Sequence, residues 1–245
     1  MVSAAHRRAG RGPAITCHNG VIGTPDLVSV KPESPDPRFE NNPKSEVPTT
    51  ESSFRLFVAV LAPEEVRKEI GKAQEELRGA LPDGCIRWTK SEQLHLTLKF
   101  LGNVAVKHVE SLTGSIRSAC GQFAPLRLRA RQVGFFPDRG FPRVLWVGVE
   151  DEEGRLPLLQ RAIETAWHDL TAEEGAEKFT GHITLGRVKL IRRAEAEILS
   201  RAKARMAGRV FGEWTAEQVD LMRSELASAG ARHESLAAIR LGELA

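Results

Sequence analysis

No run of 18 uninterrupted apolar residues occurs anywhere in the chain, so no segment of it reads as a membrane-spanning helix. Cysteine is sparse: Cys17, Cys85 and Cys120 are odd in number and show neither metal-ligand nor redox spacing. They read as free thiols of a reducing compartment, which excludes a disulfide-built scaffold and points to the cytoplasm. Neither sign of charge dominates, since 35 Lys and Arg stand against 32 Asp and Glu, and the net +3 permits a phosphate-bearing partner without demanding one. What remains is an ordinary soluble composition, 41% apolar and 27% charged over 245 residues, enough for one large domain or two smaller lobes.

Residues 1–53 are a different material. They hold seven of the 13 prolines, and a stretch such as Lys31-Pro32-Glu33-Ser34-Pro35-Asp36-Pro37 cannot bury enough surface to offset the entropy of ordering it. This extension is predicted to be disordered. Arg7, Arg8 and Arg11 precede the first acid, Asp26, as in an organelle transit peptide, but without that signal's amphipathic apolar stripe. A translation start placed too early would give the same composition.

The folded domain is predicted over 54–245. Phe54–Leu61 is β-branched and aromatic and reads as a strand, and Pro63 with Glu64 and Glu65 suits the first turn of a helix burying Val66, Ile70, Ala73 and Leu77. Strands follow at Ile86–Trp88 and Leu94–Leu101, the latter closed by Gly102-Asn103, and then a helix at Val106–Ala119. Strands are expected at Leu126–Phe136 and Arg143–Val149, a helix at Leu156–Leu170, a strand at His182–Val188 and a helix at Ala194–Ala204. Strands at Gln218–Ser224 and Glu234–Leu241 finish the chain. The order is neither a βαβ repeat nor all-β; it implies α+β, with helices covering mostly antiparallel sheet and a hint of internal duplication.

That hint has a specific carrier. His95-Leu96-Thr97-Leu98 and His182-Ile183-Thr184-Leu185 are one tetrapeptide pattern, His-apolar-Thr-apolar, occurring twice. On a strand each copy puts His and Thr on one face, roughly 7 Å apart, and two aliphatics on the other. A single copy would be read as a solvated strand face; two copies argue for a shared cleft. An in-line displacement at phosphorus needs a base behind the attacking oxygen and an acid behind the leaving one. Two imidazoles can divide those roles near neutral pH, and two threonine hydroxyls can donate to the non-bridging oxygens. No acidic or cysteine cluster accompanies the pair, so no metal and no other cofactor is required.

With HLTLKFLG at His95–Gly102, RVLW at Arg143–Trp146, the Gly134-Phe135-Phe136-Pro137 turn, HITLGRV at His182–Val188 and the opening LFVAV strand, the chain resembles the RNA 2′,3′-cyclic phosphodiesterases. These enzymes, formerly called 2′-5′ RNA ligases, are two-histidine phosphoesterases, and the resemblance spans residues 54–241. It implies a bilobal, pseudo-twofold α+β fold with one motif per lobe facing a central groove. It implies His95 as proton donor, His182 as proton acceptor, and Thr97 and Thr184 as phosphate-holding residues. It further implies metal-independent hydrolysis of RNA 2′,3′-cyclic phosphate ends, tRNA halves among them, or of cyclic nucleotides, to 2′-phosphomonoesters. An RNA 5′-hydroxyl in place of water would give 2′-5′ ligation. A non-catalytic module binding nucleotides or RNA ends in the same groove is the alternative, and nothing in the composition suggests an obligate protein partner.

Supporting residues follow from position. Arg187, five after His182, matches a basic position of the family and suits a phosphate fork. Lys99 shares the face of His95 and Thr97 by alternation. Arg127, Arg129 and Arg131, with Arg143, either attract an RNA backbone or guard a solvated strand edge. Phe135 or Phe136 is placed to stack a base, with core packing expected of at least one. His6, His18, His108, His168 and His233 sit in no comparable pattern and read as structural or exposed.

Overall fold

The computed structural model describes residues 52–171, 179–227 and 230–242. The extension predicted to be disordered lies, up to residue 51, outside the described residues. Among the described residues nine strands and four helices follow in order: β1 (Ser53–Leu61), α1 (Glu64–Gly79), β2 (Ile86–Trp88), β3 (His95–Ala105), α2 (Val109–Cys120), β4 (Leu126–Phe136) and β5 (Val144–Asp151). Then come α3 (Leu156–Thr171), β6 (His182–Val188), α4 (Arg193–Arg205), β7 (Val210–Ala216), β8 (Gln218–Ala227) and β9 (Gly230–Arg240).

The strands form one sheet in the order β7-β4-β5-β6-β3-β1-β8-β9, with β2 attached to β6, and every pairing is antiparallel. Along the main strand order its two halves meet at a single residue pair, Leu96 against Ile183, between β3 and β6, and β2 adds three pairs with β6 beside it. About that pair the order is symmetric: β3 answers β6, β1 answers β5, β8 answers β4 and β9 answers β7. Each half also runs strand, helix, strand, helix, as β1-α1-β3-α2 and β5-α3-β6-α4, with β2 inserted in the first. The predicted α+β class, duplication and antiparallel sheet are therefore present as two lobes of one sheet.

Helices cover one face. Val66, Ile70, Ala73 and Leu77 of α1 are buried as their spacing predicts, and Leu112 and Ile116 of α2, Leu159 and Ile163 of α3 and Leu199 of α4 join them. Under these helices lie Leu96, Leu98, Ile183 and Leu185, the aliphatic positions of both motifs, none more than 3% exposed. Each such side chain contributes about 1.5–3 kcal/mol on leaving water. A one-residue slip of either strand would turn its aliphatics outward, so the core pins the register that presents His and Thr on the other face.

Two expectations need correction. Gly102-Asn103 does not close β3: Gly102 takes φ 69° and the strand bulges there, Leu56 pairing with Gly102 and Phe57 with Phe100, before running on to Ala105. A left-handed glycine, which the sequence suggests as a terminator, is here a kink within a continuing strand. Strand β7 is an addition to the expected elements; Gly212 interrupts its apolar alternation at φ 141°, and only pairing with β4 makes it a strand.

Candidate active site

His95, Thr97, His182 and Thr184 are each half-buried on the face opposite the core, flanked by fully buried neighbours. Because β3 and β6 are antiparallel about Leu96 and Ile183, His95 stands across from Thr184 and Thr97 across from His182. The imidazoles therefore occupy opposite corners of a four-residue plot and the hydroxyls the other two. A cleft of about 590 Å³ opens over it, lined by His95, Thr97, Thr184 and Arg187 among others; His182 is not part of its wall.

Both rings are held in the same way. His95 Nδ1 lies 2.8 Å from the carbonyl of Gln93, and His182 Nδ1 lies 2.7 Å from the carbonyl of Thr180, two residues upstream in each case. A carbonyl only accepts, so Nδ1–H donates and Nε2 is left to give or take a proton. The Gln93 amide in turn donates to the carbonyl of Ala231, tying the His95 support to β9. Aromatic rings complete each socket. Phe57 packs 5.0 Å from His95, and Phe136 packs 5.1 Å from His182 with Trp146 at 6.2 Å. Trp146 can lie over β4 only because residue 134 is glycine: a Cβ there would fall 2.0 Å from the indole.

Burial pushes the His95 imidazole down to about 4, against the hydrogen bond to Gln93, which favours the charged form; His233 and His182 lower it further. His182 is lowered chiefly by burial too, with the Thr180 carbonyl opposing and the Arg187 charge adding to the shift. Both rings are therefore held toward the neutral state in the free protein.

Matching bulges decide which further residues face the cleft. In β3, Ala59 pairs with Thr97 but Val58 pairs with Lys99, so Leu98 is an extra residue; in β6, Trp146 pairs with Thr184 but Leu145 pairs with Gly186, so Leu185 is extra. Each insertion reverses the alternation beyond it. Arg187, at an odd offset from His182, is thereby turned into the cleft, and Phe100 occupies the equivalent place after His95. Lys99 is turned away, contrary to simple alternation, and pairs with Glu164 of α3 at 2.7 Å, both side chains 18% exposed. The Leu185 carbonyl freed by the bulge accepts from Thr89 N–H at 2.9 Å and from Gln74 Nε2 of α1 at 2.8 Å, and Gln74 also donates to the Thr89 carbonyl. This buried amide holds the bulge, and with it the direction of Arg187.

The other expectations divide. Arg129 pairs with Glu213 and Glu152, and Arg131 with Glu150, so these two guanidiniums are committed to ion pairs rather than to an RNA track; nor is the row a strand edge, since β4 lies between β7 and β5. Arg143 is exposed and, like Arg127, lines no part of the cleft. Phe135 is core and Phe136 abuts His182. His6 and His18 lie outside the described residues. His233 corrects its sequence reading: β9 brings it into the cleft wall, edge-on to His95 at 5.3 Å and to Phe57 at 5.0 Å. Arg55, Arg87 and Lys90 also line the cleft and carry no motif that would have found them.

A twofold-duplicated sheet presenting two His-x-Thr strands to one basic cleft defines the class, a two-histidine phosphoesterase. The profile of the LigT-like phosphoesterases matches residues 60–146, and an RNA 2′,3′-cyclic phosphodiesterase of Thermus thermophilus is 35% identical over 184 residues, covering 72% of this chain and 85% of its own. The chain belongs to the LigT-like phosphoesterase family. An RNA 2′,3′-cyclic phosphodiesterase of Archaeoglobus fulgidus is 30% identical over 183 residues, covering 75% of this chain and 98% of that one. Among solved structures, the Thermus thermophilus protein TT0787 superposes with a TM-score of 0.65 at 32% identity, covering 77% of this chain and 98% of its own. The fold also matches Escherichia coli LigT complexed with 3′-AMP, with a TM-score of 0.62 at 22% identity over 78% of this chain and all (100%) of that one. Among the described residues no helix is long and apolar enough to cross a membrane.

Proposed function

We propose that this protein hydrolyses RNA 2′,3′-cyclic phosphate ends to 2′-phosphomonoesters, with His182 as base and His95 as acid and with no metal ion. The observation that carries the reading is the diagonal placement of two imidazoles, each fixed through Nδ1 to a carbonyl two residues upstream. A phosphorus held between them has one Nε2 behind the incoming oxygen and the other behind the outgoing one. Water attacks phosphorus as His182 Nε2 takes its proton; the bond from phosphorus to the 3′ oxygen breaks as His95 Nε2 gives that oxygen a proton. Thr97 and Thr184 donate to the non-bridging oxygens, where charge accumulates, and Arg187 forks the phosphate. The names of the Thermus and Archaeoglobus relatives support the substrate class. An RNA 5′-hydroxyl deprotonated by the same base would yield a 2′-5′ linkage. Residues 54–245 form the catalytic unit, and the free thiols Cys85 and Cys120 suit a cytoplasmic setting.

The test is incubation with a nucleoside 2′,3′-cyclic phosphate in excess chelator, the product identified by phosphorus NMR beside His95→Ala and His182→Ala. A 2′-monophosphate made only by the unmutated protein is expected. Loss of turnover in chelator, or undiminished turnover in either variant, sinks the mechanism.

A further inference from the structure

Arg87 of β2 and Arg187 of β6 are direct cross-strand partners, and both line the cleft. Like charges directly opposed in an antiparallel pair destabilise the sheet, and guanidinium cannot relieve the repulsion by losing its proton. Elsewhere in this sheet an arginine is met by a carboxylate, as at Arg129 with Glu213 and Arg131 with Glu150. Here it is not: among the described residues the cleft wall carries Arg55, Arg87, Lys90 and Arg187, and no acidic side chain. The volume, about 590 Å³, is in the range of sites that enclose a whole drug-sized ligand, so a cyclic phosphate and its ribose leave room unfilled. Arg187 adjoins the β6 motif, whereas Arg87 stands one strand further out, with Lys90 on the turn that follows it.

We infer that Arg87 and Lys90 form a second anion position, which takes the phosphodiester upstream of the reacting end, so that the cleft selects RNA chains over mononucleotides. This rests on the function proposed above for the reacting end. An anion beside the Arg87–Arg187 pair removes the repulsion, and each charge-assisted contact to it strengthens binding by about 10- to 100-fold.

The experiment measures dissociation constants of the full chain for a trinucleotide ending in a 2′-phosphate and for a nucleoside 2′-monophosphate, at low and high salt. The trinucleotide is expected to bind about 10- to 100-fold tighter, with a salt slope steeper by about 0.7 for each added phosphate contact. Arg87→Ala should collapse the ratio of the two constants toward one and Arg87→Lys should restore part of it, since it keeps the charge and loses the fork. Without ligand, Arg87→Ala should melt no lower than the unmutated protein, because it relieves the repulsion. Should Arg87→Ala fail to fold, Lys90→Ala carries the comparison. Equal constants for the two ligands, a ratio that survives both alanine variants, or a loss falling equally on both ligands would overturn the inference. Turnover of the corresponding cyclic ends is followed separately; its absence would defeat the proposed function, while the affinity ratio still decides the second anion position.

Discussion

On the proposed mechanism His182→Ala should bind a nucleoside 2′,3′-cyclic phosphate without consuming it, and that complex tests how His95 comes by the proton the proposal assigns to it. Burial, reinforced by His233 and His182, sets the free ring at about 4, so at pH 7 about one molecule in 1000 carries the proton. Substrate has to change this. A phosphate monoanion against the imidazole favours the charged form, and if the pKa in the complex rises past neutrality then binding takes up about one proton. Linkage fixes the size of the effect: as pH falls from 8 to 6 the dissociation constant tightens, by up to about tenfold per pH unit once the pH lies below the raised pKa. The cyclic diester has no proton of its own to exchange in that range. Isothermal titration in two buffers of different ionisation heat reads the uptake directly. Adding His95→Ala should abolish it, and adding His233→Phe, which keeps the ring and removes the neighbouring base, should leave it. A heat independent of buffer together with a constant affinity across that range would refute the reasoning and with it the assignment of the donor to His95. Uptake surviving in the His95 variant but lost with His233→Phe would move the proton to β9.

Other consequences are simpler to check. Gln74→Leu keeps the volume and removes both donors to Leu185 and Thr89; a loss of about 1–3 kcal/mol in urea unfolding is expected, with weaker product binding because Arg187 is no longer aimed. Lys99→Met leaves Glu164 without its ammonium at 18% exposure; stability should fall by about 1–3 kcal/mol while kcat stays as it was, and a fall in kcat would return Lys99 to the cleft. His95, His182 and His233 are all lowered mainly by burial. Below their ordinary value near 6.5 the unfolded chain binds protons that the folded protein declines, so melting temperature should drop as pH falls from about 6.5 toward 4; a flat or rising curve would contradict the burial of these rings.

Most of the element order was legible because it is written in local periodicity. The α1 stripe of Val66, Ile70, Ala73 and Leu77 is a helix repeat whatever lies around it, and the paired tetrapeptides carry their own two-faced strands. Strand β7 was not legible, since Gly212 breaks its pattern and only the exposed ladder of β4 recruits it. The cleft wall away from the motifs was illegible for a related reason. His233 comes from a strand far along the chain, and its nearness to His95 is a fact of sheet order β3-β1-β8-β9, which no short window contains.

The bulges show where alternation stops being a guide. Counting by twos from His95 assigns Lys99 to the cleft, and counting from His182 assigns Arg187 to the core; both assignments fail by one inserted residue. The same error occurs at equivalent places in the two halves, Leu98 and Leu185, so the bulge is part of the repeated unit. The halves have then used one geometry for different ends. After His95 the reversal exposes an aromatic ring, Phe100, 65% accessible at the mouth of the cleft. After His182 it presents a guanidinium, and Gly186 beside it leaves room for β2, since a Cβ there would meet Ile86 at 2.7 Å and the Arg87 carbonyl at 3.1 Å. Only the second half thus receives an extra strand on its motif, and that strand delivers Arg87. A symmetric scaffold thus becomes asymmetric at this position of the repeat as it does at His233, and on the proposed function that asymmetry helps to fix which way a substrate with a sugar end and a phosphate chain lies between the two histidines.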